Sequence, residues 1–172
     1  MNIRPATPAD VPGVLTMVEK LVALHERMDP ARFGYLPDTA ERYRSWLTAR
    51  TSDPRAVFLV ADHERLLADV PFLAGFVIGT VEEAIPIYRV DEFGYIHDVF
   101  VAEEYRNEGL GRQMTMLAIE KFRELGVKQV RLETAAANEP ARKLFASCGF
   151  RTSAIEMLVE LNEPQMNADG RR

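Results

Sequence analysis

The chain has 172 residues, 47% hydrophobic and 27% charged, with a formal net charge of −5. That is the composition of one globular domain with a real core, and the acidic balance argues against nucleic acid as partner and leans toward cationic substrates. A single cysteine, Cys148, excludes an internal disulfide, the scattered His25, His63 and His97 show no metal-ligand spacing, and no apolar run approaches 18 residues.

In chain order, residues 2–4 read as a short first strand. Thr7-Pro8-Ala9-Asp10 is a helix start, with Thr7 as N-cap, Pro8 at the first helical position and Asp10 in the acid-favoured first turn. Val11, Val14, Leu15, Val18, Leu21 and Val22 then form one apolar face, and the helix should stop near Asp29-Pro30, because the residue before proline avoids helical dihedrals. A loop over 32–37 carries Phe33 and Tyr35. A second helix is predicted over 38–49, with Tyr43, Trp46 and Leu47 inward. Strands follow over 56–61 and 72–83, separated by a connection longer than a tight hairpin. Gly75 and Gly79 mark a bulge or a close backbone approach. Residues 85–93, with Ile87, Tyr88 and Phe93, link to a central strand, reaching over a binding site or covering the sheet edge.

The central strand is Tyr95-Ile96-His97-Asp98-Val99-Phe100-Val101. It runs into Arg106-Asn107-Glu108-Gly109-Leu110-Gly111-Arg112, and then into a helix with Leu110, Met114, Leu117, Ala118, Phe122 and Leu125 at helical spacing, closed by Gly126. A helix N-terminus offers free N–H groups and a partial positive charge. Glycine lets backbone come close to an anion, and Arg106 and Arg112 add fixed charge, so the unit is a phosphate cradle. A P-loop needs Gly-Lys-Ser/Thr where the turn reads Gly111-Arg112-Gln113, and a dinucleotide fingerprint needs a third glycine where Met114 stands. Beyond it, residues 129–134 alternate as a strand. Asn138 and Ala141-Arg142-Lys143-Leu144-Phe145-Ala146-Ser147-Cys148-Gly149-Phe150 follow as a short helix ending in Gly-Phe. Residues 153–160 alternate as a last strand, and 162–172 form a polar tail after a domain over 1–161.

The Arg-x-x-Gly-x-Gly turn between strand and helix, followed by asparagine, a helix and Gly-Phe, resembles the GCN5-related N-acetyltransferase (GNAT) family. The resemblance is specific over 95–150. It implies a single-domain α/β fold, with a mixed central sheet of about six to seven strands, helices on both faces, and a cleft where the central strand and the 129–134 strand splay apart to admit acetyl-CoA. It implies an enzyme that moves the acetyl group of acetyl-CoA to a primary amine by direct attack in a ternary complex. Cofactor contacts would come from the backbone of Val99, Phe100 and Val101, from Arg106, Asn107, Glu108, Gly109, Leu110, Gly111 and Arg112, and from Asn138 and Phe145. A backbone N–H near Val99 would polarise the acetyl carbonyl. The first two helices and their loop would form the acceptor wall, making Glu26, Asp29, Phe33 and Tyr35, with His25 beside them, and Tyr88 from the later loop, candidate substrate contacts. Phe33 and Tyr35 could equally serve only to pack the loop.

Deprotonating the amine needs a base on the central strand, and His97 and Asp98 are the candidates. Successive strand residues face opposite sides, so both can serve one amine only if a bulge intervenes. Many members of the family carry a tyrosine seven residues after the asparagine, where this chain has Phe145, which has no proton to give. A non-catalytic acyl-CoA-binding sensor is therefore the alternative reading. Within the enzyme class, a protein lysine or N-terminal acetyltransferase stands beside a small cationic amine acceptor. No metal is expected. Met1-Asn2-Ile3-Arg4 leads straight into structured pattern, so no signal peptide and a cytoplasmic location are expected, with no membrane partner. A homodimer through a sheet edge is left open.

Overall fold

The computed structural model describes residues 1–67 and 70–161. Five strands, β1 (Asn2–Pro5), β2 (Ala56–Leu67), β3 (Val70–Glu83), β4 (Glu92–Val101) and β5 (Val130–Leu132), form one sheet in sequential order. The first four are antiparallel neighbours, and β5 lies parallel to β4. Helices α1 (Val11–Met28) and α2 (Thr39–Arg50) cover one face; α3 (Leu110–Glu124) covers the other, with α4 (Glu139–Ser147) beside it. Each sheet face buries its own core. Val14, Val18, Leu21, Leu47, Phe76, Ile78 and Phe100 pack under α1 and α2. Leu59, Val77, Ile96, Met114, Ala118 and Phe122 pack under α3. This two-sided burial explains why β3 reads as a nearly continuous apolar run.

The expected mixed α/β fold is present, with two differences. The sheet has five strands among the described residues rather than six or seven, because residues 153–160, for all their alternation, join no ladder and are exposed throughout. The connection expected over 62–71 is much shorter: β2 runs on to Leu67 and pairs with β3 from Val70, through register shifts at Ala61/Asp62 and His63/Leu66. The tail over 162–172 lies outside the described residues. Among the described residues no helix is long and apolar enough to cross a membrane.

The start of α1 shows how local sequence sets the frame. Thr7 caps a 3-10 turn over Pro8–Asp10 that feeds α1, and Asp29 ends the helix before Pro30. Asp10 is 1% exposed. Its carboxylate accepts from Thr7 N (2.7 Å), Thr7 Oγ1 (2.8 Å) and both terminal nitrogens of Arg4 (2.8 Å each). Arg4 also donates to Asp62 Oδ2 at 2.7 Å, so one cation ties β1, β2 and the start of α1 together. Burial pushes the Asp10 carboxyl up, but the bonds from Arg4 and Thr7 outweigh it and hold the group below its ordinary 3.8. A depressed folded pKa stabilises above the unfolded value and is lost as pH falls through the folded one. Asp10→Ala should therefore cost about 2–4 kcal/mol in urea unfolding at neutral pH. The difference from the parent should shrink as the medium is acidified below the ordinary carboxylate range.

Candidate active site

The site is built on an irregularity between β3 and β4. Ile78 pairs with Asp98 and Gly79 pairs with Ile96, so His97 is an extra residue in β4, a bulge. A Cβ on Gly79 would stand 2.4 Å from Tyr95 O, so only glycine allows this approach. The bulge changes which way side chains point. Ile96, Val99 and Val101 lie on the α3 side and Phe100 on the α1 side. His97 and Asp98 both face α2: the His97 ring meets the edge of Trp46 at 5.2 Å, and Asp98 accepts a 2.5 Å hydrogen bond from Tyr43 Oη. The two candidate bases, which ideal alternation would separate, thus share one face.

Around them stands an aromatic wall. Tyr43 stacks on Trp46 (4.9 Å), Tyr95 lies 5.1 Å from the His97 ring, and His25 packs against Phe33 at 5.1 Å. Burial chiefly pushes the Tyr35 hydroxyl up, with Asp98 and Glu26 adding to it. Of the expected acceptor contacts, Phe33 and Tyr35 therefore sit near Asp98 or its neighbours, and Glu26 is exposed beside them. Asp29 is engaged elsewhere: its Oδ1 accepts from Arg32 N (3.2 Å) and holds the turn after α1. Tyr88 is 58% exposed, and its only hydrogen bond among the described residues is local, from its backbone N–H to Ile85 O (3.1 Å), so the structure does not bring it to the cluster. Tyr43, expected only to pack inward, is the closest partner of Asp98. Thr80 and Glu82 were not anticipated either. Thr80 Oγ1 donates to Glu82 Oε1 (2.5 Å) and lies 2.6 Å from His97 Nε2. A hydroxyl has one proton, so with that proton on Glu82 its oxygen accepts from His97 Nε2–H, which leaves the Nδ1 lone pair as the basic position. This pair lines a cavity of about 220 Å³ with Trp46, Arg50 and Arg55.

Electrostatics follow from burial. Desolvation lowers the His97 pKa, partly offset by Asp98 and Glu82, so the ring is neutral at pH 7. Desolvation raises the Asp98 pKa, opposed by the Tyr43 hydrogen bond and by His97 and His25. Asp98 has no ion-pair partner among the described residues.

The other half of the site is the free edge of β4. β5 pairs with β4 only over Gly94–Ile96, and the strands part beyond it. Ala102 N bonds Ala74 O on β3, so by alternation Val99 and Val101 turn their backbone groups to the open edge. Val101 O is taken by Arg106 Nε at 3.0 Å, and the Arg106 guanidinium rests 5.6 Å from the Phe100 ring, so Arg106 fixes the loop from below. Asn107 (φ 66°) and Gly109 (φ 81°) make the turn, and α3 begins with no side chain capping its first N–H groups. Leu110 is buried, and Gly111 sits where a Cβ would come within 3.3 Å of Leu144, so α3 packs tightly against α4. The side chains of Glu108 and Arg112 stand on this turn with no hydrogen bond or ion pair among the described residues. Asn138 Oδ1 accepts from Ala141 N (3.2 Å) as the cap of α4, and Phe145 is buried edge-on against Phe150 (5.9 Å).

An uncapped helix N-terminus beside a parted pair of strands leaves backbone groups free to hold an anionic, extended ligand. A profile of the acetyltransferase (GNAT) family matches residues 21–150. The chain belongs to that family. It is 31% identical over 111 residues to a mycothiol acetyltransferase of Corynebacterium aurimucosum, covering 64% of this chain and 35% of that protein. It is 33% identical over 87 residues to a probable N-acetyltransferase, camello, of Xenopus tropicalis, covering 51% of this chain and 39% of that one. The chain thus spans little more than a third of the length of these relatives. A mutant of the BH1408 protein of Bacillus halodurans has the same fold, with a TM-score of 0.81 at 22% identity over 94% of this chain and 100% of that one.

A carboxyl whose folded pKa is raised costs stability as pH climbs from the unfolded value to the folded one. Asp98→Asn keeps an acceptor for Tyr43 and removes that cost. The variant should melt above the parent at pH 7.5, with the gap closing as pH falls toward 3.8, the ordinary aspartate value.

Proposed function

We propose that the protein is an acetyl-CoA-dependent N-acetyltransferase acting on a small cationic amine. The observation that carries this is Asp98: a carboxylate set under Tyr43 among aromatic rings, without a cation of its own, and one bulged residue away from a neutral histidine on the same face. An ammonium group supplies the missing charge, and the rings of Tyr35, Tyr43, Trp46 and Tyr95 suit a cation. The name of the mycothiol acetyltransferase relative is consistent with a small-molecule acceptor.

The first turn of α3, from Leu110 to Arg112, would hold the pyrophosphate on backbone N–H groups, with Arg112 as added charge. The open edge of β4 at Val99 and Val101 would take the pantetheine amides as an added strand does. Acetyl-CoA, when bound, supplies the thioester carbonyl that the amine attacks. The Val99 N–H faces the open edge, where it can polarise that carbonyl; such a donor is worth about 10²–10³-fold in rate. Asp98 receives the ammonium, and His97 Nδ1 takes its proton, with Thr80 and Glu82 holding the ring in the required tautomer. No hydroxyl at Phe145 protonates the departing thiolate, which at a pKa near 8.5 leaves with little help.

The direct test is CoA release from acetyl-CoA against pools of polyamines, aminoglycosides, amino acids and lysine- or N-terminus-bearing peptides, with products identified by intact mass. Turnover is expected in a cationic small-amine pool. Turnover only with peptides would move the acceptor to protein. Silence everywhere, in a protein that acetyl-CoA still stabilises against heat, would favour the sensor reading that Phe145 leaves open.

Two further outcomes follow from the same site. Gly109→Glu places a Cβ in open space, with the nearest atom at 4.0 Å, so the fold should survive the backbone cost of about 1–2 kcal/mol at φ 81°. The added carboxylate should abolish the calorimetric signal for acetyl-CoA. The rate should rise with pH through an apparent pKa below 6.5, because neutral His97 is the active form. That limb should be lost in His97→Gln, as a stopped pH–rate profile would show.

A further inference from the structure

Acetyl transfer to an ammonium group leaves a proton to be disposed of. The nitrogen gives up two protons on its way to an amide, the departing thiolate takes one, and the other must reach solvent. The line of groups behind the His97 ring leads there. His97 Nε2 lies 2.6 Å from Thr80 Oγ1, and that hydroxyl donates to Glu82 Oε1 at 2.5 Å. Glu82 Oε1 is itself 3.6 Å from His97 Nε2. Thr80 is 7% exposed, while the side chains of His97 and Glu82 are 26% and 45% exposed, so the line starts beside a buried hydroxyl and ends in water. Thr80 and Glu82 stand two residues apart on β3, hence on one face of it.

Glu82 is also uncommitted. Two arginines line the same cavity of about 220 Å³, yet Arg50 pairs with Asp53 and Arg55 with Glu92. Among the described residues the Glu82 carboxylate has no partners but Thr80 and His97. A carboxylate beside two guanidiniums ordinarily binds one of them; this one is given to a hydroxyl and an imidazole instead.

We propose that Glu82 is the terminal proton acceptor of the reaction, reached from His97 through the Thr80 hydroxyl. The inference rests on the acetyltransferase reading and adds a step to it. As a proton of the ammonium arrives at His97 Nδ1, the Nε2 proton passes to Thr80 Oγ1 and the Thr80 proton passes to Glu82 Oε1. One N–H bond of the ammonium is broken and one O–H bond on Glu82 is formed. The ring ends neutral in its other tautomer, the hydroxyl is intact, and no group is oxidised or reduced. Glu82 then yields its proton to water. Once the product has left, water takes the Nδ1 proton while Nε2 regains one from solvent through Glu82 and Thr80, which restores the ring with no net change in protons.

Glu82→Gln separates moving a proton from holding the ring. The amide oxygen still accepts from Thr80, so the tautomer is kept, but the amide takes up no proton at neutral pH. With the amine that the pooled assay identifies, Glu82→Gln should keep the parent's melting temperature and amine KM and lose about 10²-fold in kcat. Formate, added at fixed pH and ionic strength, should restore part of that rate in proportion to its concentration. It should do so further in Glu82→Ala, where the shortened side chain leaves room for it, and the parent should not respond. A Glu82→Gln variant as fast as the parent, or slow variants that formate does not rescue, would overturn the relay and leave Glu82 only holding the ring. A parent that turns over no amine would overturn the acetyltransferase reading and this step with it, an outcome distinct from those two.

Discussion

The site depends on one slipped residue between β3 and β4. Without His97 as an extra residue, strand alternation would put one of the two candidate bases under α2 and the other under α3, in a core built of Ile96, Met114 and Phe122. With it, His97 and Asp98 stand together under Tyr43 and Trp46. The slip is held in place from both sides. Gly79 admits the Tyr95 carbonyl at a distance no side chain tolerates, and the Thr80–Glu82 pair ties the imidazole once it has turned out. A bulge is a cheap way to re-aim a side chain, because it costs one ladder bond and leaves the rest of the sheet in register.

The same strand does the second job with its other edge. β4 is paired to β3 along its length but to β5 for only three residues. Backbone groups that would otherwise bond a neighbouring strand are left to bond a ligand, and α3 starts just beyond with its own free N–H groups. The proposed cofactor edge and the two candidate bases are therefore carried by one strand. In the proposed reaction, positioning by that strand is the contribution that survives the absence of an acid at Phe145.

Much of this was legible in the sequence where the cause is local. The Thr7-Pro8-Ala9-Asp10 start, the stop before Pro30, the turn at Gly109 and the helix after Asn138 each rest on residues within a few positions of one another. The glycine at 79 announced a bulge or close approach, but not on which strand, because the extra residue lies across the ladder. Tyr43 reads as a core aromatic on α2; only packing against β4 shows its hydroxyl bound to Asp98. Thr80 and Glu82 carry no signal until β3 and β4 are paired. The segment over 153–160 shows the opposite failure. Its alternation is a true statement about its chemistry, yet it joins no ladder, because pairing needs a neighbouring strand that its own residues do not supply.

The most direct check on the shared face is a double-mutant cycle on kcat/KM with the amine found in the pooled assay, using His97→Gln, Asp98→Asn and the pair. If both groups act on one amine, the double variant should lose little more than the worse single variant, because either loss already disables the same proton transfer. Losses that multiply would mean that His97 and Asp98 work independently, and would contradict the account in which the bulge joins them into one base.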